Sequence, residues 1–145
     1  VLTVNMNTLD NSPLTRNTFK KIEKLCKKKL IEDTFKSGIS IKSFPFKTIY
    51  HFTTFEENTP VQTLISVPKR NVRLASDRNT IKRRIKEIYR LNKQEIYNFC
   101  DHENLKLTII IIFIGKKEQS SYEFLEKKLL KGLSVLHEKI TTQQK

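Results

Sequence analysis

Apolar positions recur along this chain with two different periods, and the changes between them predict its elements. From Lys27 to Lys36, Leu30 with Thr34 and Ile31 with Phe35 stand four apart on one face. Gly38 sits where a helix would be capped, so a short helix is expected. Strand-like alternation follows over Phe44 to Thr54, with Phe46, Thr48, Tyr50 and Phe52 on one face, and a further strand is expected over Thr63 to Val67. The run Leu105 to Ile114 contains Ile109-Ile110-Ile111-Ile112-Phe113-Ile114, β-branched and apolar on both faces. It predicts the central strand of a sheet covered on both sides.

Two longer helices complete the pattern. Ser76 or Asp77 can cap one running from Arg78 to about Ile96, since a short oxygen-bearing side chain accepts from the unpaired first-turn N–H groups. At about 100° per residue Ile81, Ile85, Ile88 and Leu91 share one arc, with Asn79, Lys82, Arg83, Lys86, Arg90 and Lys93 opposite. Ser120 and Glu123 have capping-box spacing and open the last helix, whose apolar stripe is Leu125, Leu129, Leu133, Leu136 and Ile140. The order helix, strands, helix, strand, helix predicts a single-domain α+β sandwich. Val1 to Thr15 is polar, rich in Asn and Thr and without apolar periodicity. It reads as a flexible tail, leaving residues 16–145 for the domain.

Charge changes the picture from fold to partner. Lys and Arg number 28 against 15 acidic residues, a formal net charge of +13. The surplus is segregated: Arg16 to Lys47 holds ten basic residues against three acidic, Lys69 to Lys93 ten against two, and the rest of the chain eight against ten. Such blocks call for a polyanion, whether nucleic acid, an anionic membrane or an acidic protein. The membrane is the weakest of these. Leu105 to Ile114 is interrupted by Lys106 and falls short of the roughly 20 apolar residues a span needs. Val1 to Asn11 lacks the positive start and apolar stretch of a secretion signal, so a cytoplasmic location is expected. A basic helix face is most often merely solvated. Here acidic partners at four-residue spacing are nearly absent, Glu87 excepted, and the Arg content suits bidentate phosphate contacts. Composition thus points to nucleic acid and leaves RNA and DNA open.

The sequence offers little for catalysis. No His–carboxylate dyad or activated nucleophile stands out, and three Gly exclude a glycine-rich phosphate cradle. Cys26 and Cys100 are 74 positions apart and outside any C-x-x-C arrangement, so two reduced thiols are expected. Cys100-Asp101-His102 lacks a second ligand pair, and His51 and His137 have no partner pattern either. No metal site and no catalytic residue are expected.

Val67-Pro68-Lys69-Arg70, Ala75, Arg78-Asn79-x-x-Lys82-Arg83 and the downstream Glu87 and Arg90 resemble the signature of the bacterial ribonuclease P protein family, whose central motif is Arg-Asn-Arg followed by Lys-Arg. Leu25-Cys26-Lys27-Lys28, Phe35-Lys36-x-Gly38 and Pro45-Phe46 resemble that family's first helix and strand. The likeness runs from about Lys24 to Ile140, with two departures: Thr80 replaces the second Arg of the motif, and Ile31 stands where many members have Phe.

The resemblance implies the RNA-binding protein subunit of a ribonucleoprotein endonuclease that removes the 5′ leader of precursor tRNA, with Mg²⁺-assisted hydrolysis performed by a separate RNA. It also implies a ribosomal protein S5 domain 2-like fold, a mixed sheet with the basic helix in a left-handed βαβ crossover. Lys69, Arg70, Arg73, Arg78, Asn79, Lys82, Arg83, Lys86 and Arg90 are then expected to bind the ribonuclease P RNA. A cleft between first helix and sheet, carrying Lys27, Lys28, Phe35, Lys36, Phe46 and Tyr50, is expected to hold the leader, each base stacked on an aromatic being worth about 1 to 3 kcal/mol. Ribonuclease P RNA and precursor tRNA are the expected partners, and no obligate protein partner is evident. The alternative is a ribosomal or rRNA-associated binding protein without processing activity. A DNA-binding regulator ranks below it, and a protein-only nuclease lower still, because nothing in the sequence could activate water.

Overall fold

The computed structural model describes residues 18–143, so the tail expected over Val1 to Thr15 lies outside the described residues. Within them the elements run α1 (Lys28–Ser37), β1 (Ile39–Ser43), β2 (Phe46–Thr53), β3 (Val61–Ser66), α2 (Ala75–Asn92), α3 (Gln94–His102), β4 (Lys106–Phe113) and α4 (Tyr122–Gln143), with 3-10 turns at Lys21–Glu23 and Lys117–Gln119. The strands form one mixed sheet in the order β1-β2-β4-β3. β1 and β4 both pair antiparallel with β2, while β3 pairs parallel with β4.

β4 is central and buried along nearly its whole length, as a run apolar on both faces requires. Its odd-numbered residues Leu107, Ile109, Ile111 and Phe113 join the main core with Phe46 and Tyr50, Ile81, Ile85, Ile88 and Tyr89 of α2, and Leu125, Leu129, Leu133, Leu136 and Ile140 of α4. Ile110, with Ile49 and Leu25, forms a smaller core on the opposite face, closed by Leu30 and Ile31 of α1. The chain is therefore three layers deep, with α2, α3 and α4 on one side of the sheet and α1 alone on the other.

Several expected boundaries move for local reasons. β1 is unannounced: its five residues show only Ile39 and Ile41 against Ser40 and Lys42, and it follows the helix without a loop. The strand expected from Phe44 is the second arm of a hairpin that turns at Phe44-Pro45. The basic helix starts three residues early, at Ala75, with Leu74 at the capping position and no side-chain cap, so Ser76 and Asp77 lie inside its first turn. It also stops at Asn92, and α3 continues after a joint at Lys93. A 100° projection assumes one straight helix. In the last turn before the joint and at the joint itself it fails: Leu91 is 43% exposed, Tyr89 is buried in its stead, and Lys93, projected onto the open basic face, is 2% exposed. Likewise Ser121 rather than Ser120 caps α4, accepting the Phe124 N–H at 3.3 Å, while the Ser120 hydroxyl donates to the Lys117 carbonyl.

The joint is held by a buried polar network. Lys93 Nζ donates to the Glu23 carboxylate and to the Thr18 carbonyl. Tyr97 OH donates to the same Glu23 oxygen at 2.7 Å, Tyr89 OH to Tyr97 OH at 3.2 Å, and the Thr63 and Tyr89 hydroxyls lie 2.6 Å apart. Glu23 belongs to an arm that runs along β3, where the Leu25 N–H donates to the Thr63 carbonyl at 3.0 Å and covers that strand's outer edge. Burial lowers the Lys93 ammonium's pKa, a shift opposed by Glu23, and raises those of the Tyr89 and Tyr97 phenols.

The two thiols are unpaired and differ sharply in exposure. Burial pushes Cys100 up to about 12, whereas Cys26 is exposed in the arm. A thiolate-directed reagent at neutral pH should label Cys26 alone, followed by mass spectrometry of the native protein, with Cys100 reacting only after denaturation. Rapid native labelling of Cys100 would contradict the packing described.

Candidate nucleic-acid interface

α2 lays its isoleucines on the sheet and turns the other side outward. Asn79, Arg83 and Lys86 are exposed there and Lys82 is half-exposed. Not every cation of the motif is available. Arg90 grips Glu87 through two bonds, Nε to Oε1 at 3.2 Å and an NH2 to Oε2 at 2.6 Å, which lowers the Glu87 carboxyl pKa. Arg84 donates to the Ser120 carbonyl at 2.6 Å, tying α2 to the start of α4. Thr80 turns its hydroxyl back to the Ser76 carbonyl at 3.0 Å. Asp77, in the first turn, pairs with Lys117 at 3.3 Å.

Arg78 departs most from expectation. Its guanidinium folds back and one NH1 donates to the carbonyls of Val72 at 3.0 Å and Arg73 at 2.7 Å. Those contacts hold the loop between β3 and α2, which is fixed elsewhere by the buried Val72, by the Asn71 amide donating to the Phe113 carbonyl at 3.1 Å, and by the Asn71 and Val72 N–H groups bonding to the Pro68 carbonyl. The loop presents Lys69, Arg70 and Arg73 in the open, around a concavity of about 790 Å³ that they line together with Leu74. The basic patch is therefore one surface made of a rigid loop and the outer face of the helix it leads into.

The second surface lies on the face of the sheet that carries α1. Thr34, buried, meets Thr108 hydroxyl to hydroxyl at 2.6 Å, and Gly38 lets the end of α1 settle on β2. Phe35 remains 52% exposed, one turn beyond Ile31, and Lys28 and Lys36 are exposed. Lys27, also exposed, pairs with Glu57 at 3.4 Å. Phe46 and Tyr50 are not at this surface. They project from β2 to the opposite face, into the main core, where Phe46 meets Phe113 edge-on and Tyr50 donates its hydroxyl to Gln143 of α4 at 3.1 Å. Burial raises the Tyr50 pKa. α1 sits over Ile49 and Ile110, and strand parity therefore turns Phe46 and Tyr50, out of step with Ile49, to the other face.

Parity places other residues on the α1 face. Lys42, Lys47, Ile112 and Ser66 stand in register across β1, β2, β4 and β3, a row next to the one of Ile49, Ile110 and Leu64 that packs under α1. Lys42 is exposed and the other three are half-buried. Lys42 lies in β1, which the sequence does not announce, and Lys47 alternates with the core-facing Phe46 and Thr48; the alternation from Ile49 back to Lys47 is the signal that places it. Among the described residues no group of three or more His, Cys, Asp or Glu is placed to hold a metal ion, and no helix is long and apolar enough to cross a membrane.

Comparisons with known proteins agree on one family. The Ribonuclease P family model matches residues 19–137. The ribonuclease P protein component of Chlorobium phaeobacteroides is 35% identical over 127 residues, 81% of this chain and 87% of that protein. That of Porphyromonas gingivalis is 26% identical over 78% of this chain and 82% of its own. The same fold is seen in the RNase P protein of Staphylococcus aureus, with a TM-score of 0.62 at 23% identity over 79% of this chain and 94% of that one, and in that of Thermotoga maritima, with a TM-score of 0.57 at 23% identity over 75% and 93%. With a motif-bearing helix exposed as an RNA-binding face would require, a family model spanning most of the chain and relatives alike over most of their length, this chain belongs to the ribonuclease P protein family, the protein component of the endoribonuclease that matures tRNA 5′ ends.

Proposed function

We propose that the chain docks on ribonuclease P RNA through Lys69, Arg70, Arg73, Asn79, Lys82, Arg83 and Lys86, and holds the 5′ leader of precursor tRNA in the groove between α1 and the open row of the sheet. The observation that supports docking is the uncompensated row Asn79, Arg83 and Lys86 on α2, continuous with the cationic loop. Arg78 supports that loop from behind. Arg90, gripping Glu87, is placed at the margin of the patch. In the groove, Phe35 offers a ring face to bases and Lys28, Lys36, Lys42 and Lys47 offer charge to phosphates. Hydrolysis is assigned to the RNA and its bound Mg²⁺, and the protein's work is to raise affinity for both RNAs in the cytoplasm. The carboxylates Glu57, Asp77 and Glu87 at the two surfaces are each paired with a cation.

Salt dependence of binding tests the docking half. Each phosphate contact contributes roughly −0.7 to −0.9 to the slope of log affinity against log salt. Arg83→Ala with Lys86→Ala should flatten the slope for the cognate ribonuclease P RNA by about one or more units. An unchanged slope removes that face from the interface. For the groove, Phe35→Ala should weaken the holoenzyme's binding of leader-bearing tRNA by about fivefold or more while leaving mature tRNA bound as before, the loss expected for one stacked base. Equal losses for both substrates would make Phe35 merely structural.

A further inference from the structure

Leu74 is the most exposed of the large apolar side chains among the described residues, at 63%. It occupies the capping position of α2, where Ser, Thr, Asp or Asn would satisfy a first-turn N–H and where Leu is among the poorest choices. The position thus carries two local costs, an open apolar surface and an uncapped helix. Nor is the loop loose. Val72 is buried, Asn71 is bonded to the end of β4, and Arg78 clamps the carbonyls of Val72 and Arg73. A rigid loop holds an exposed leucine in a concavity whose other lining residues are Lys69, Arg70 and Arg73.

We propose that this concavity is a preformed seat for a single nucleotide unstacked from its RNA helix, with the base lying on Leu74 and its flanking phosphates held by Lys69, Arg70 and Arg73. The chemistry selects that ligand. A duplex presents phosphates and sugars outward and keeps its base faces stacked, so it would meet the three cations but leave the leucine wet. An apolar peptide would suit the leucine and leave three cations desolvated without partners. A splayed nucleotide offers an apolar face bracketed by two anions. Arg78 is then a positioning residue, since it fixes the backbone of the seat without contacting the phosphates itself. The inference rests on the docking proposed above and adds to it a local mode of recognition.

The test is equilibrium binding of the full chain to three RNAs, the cognate ribonuclease P RNA, leader-bearing precursor tRNA and mature tRNA, across a range of salt. Leu74→Ala should weaken binding to the cognate ribonuclease P RNA by about tenfold, the factor for roughly 1.4 kcal/mol of apolar contact, without changing the salt slope. Leu74→Phe should retain or tighten binding, because a ring offers a larger stacking face. Arg73→Ala should weaken binding and flatten the slope. Arg78→Ala should weaken binding with little change of slope and should speed amide exchange at Asn71 and Val72, which loss of a phosphate contact alone would not do. Wild-type affinity of Leu74→Ala for ribonuclease P RNA overturns the seat, as does a tenfold loss for Leu74→Phe equal to that of Leu74→Ala. If Arg83→Ala with Lys86→Ala leaves the salt slope unchanged, the docking reading itself has failed; a normal effect there beside an inert Leu74→Ala isolates the failure to the seat.

Discussion

Lys93→Met should destabilise the fold by about 3 to 5 kcal/mol, the cost of stripping one partner from a buried ion pair. The substitution leaves the Glu23 carboxylate in a site almost closed to water, with, among the described residues, the Tyr97 hydroxyl and the Lys20 N–H left to answer it. Replacing both partners, Glu23→Leu with Lys93→Met, should recover much of the loss, since an apolar pair requires no compensating charge. Urea unfolding measures all three chains. A Lys93→Met variant within about 1 kcal/mol of wild type would mean the pair is solvated.

Gly38→Ala should be nearly as damaging, for want of room rather than for its dihedral. Gly38 has φ −76°, which any residue adopts, but a Cβ there would lie 2.3 Å from the Thr34 carbonyl oxygen, 2.7 Å from Ile49 Cγ2 and 2.8 Å from the Tyr50 carbonyl oxygen. Two of those three atoms are backbone and cannot rotate away, so α1 must lift from β2. Overpacking of this kind costs about 1 to 3 kcal/mol, and the upper end is expected here. Because α1 forms one wall of the proposed leader groove, the variant should also lose discrimination between leader-bearing and mature tRNA at temperatures where it is still folded. Wild-type stability for Gly38→Ala would show that the approach of α1 to β2 is looser than described.

The elements with long periodic signals were legible from sequence. The isoleucine run of β4 announced a strand buried on both faces, and the leucine stripe of α4 is buried as spaced. The motif Arg78-Asn79-x-x-Lys82-Arg83 pointed to the family that the comparisons identify. What escaped depends on tertiary placement. Strand parity alone cannot say which face α1 will cover, so Phe46 and Tyr50 were grouped with Phe35, and the cations on their strand's other face, Lys42 and Lys47, were passed over. Lys93 looked like another surface cation because its partner, Glu23, is 70 residues away in an arm without periodicity. Arg78's bonds to its own loop were equally hidden, because a side chain that folds back has no sequence signature. In both cases a charged residue serves the fold beside cations that stay exposed.

Reconstituted cleavage tests the central claim most directly. The purified chain, added to its cognate ribonuclease P RNA with a leader-bearing precursor tRNA at low Mg²⁺, should stimulate accurate release of the 5′ leader. Arg83→Ala with Lys86→Ala should require markedly more protein for the same stimulation. Failure of the wild-type chain to stimulate cleavage with the cognate RNA, or full stimulation by the double variant at wild-type concentrations, would contradict the proposed docking of α2's outer face on ribonuclease P RNA.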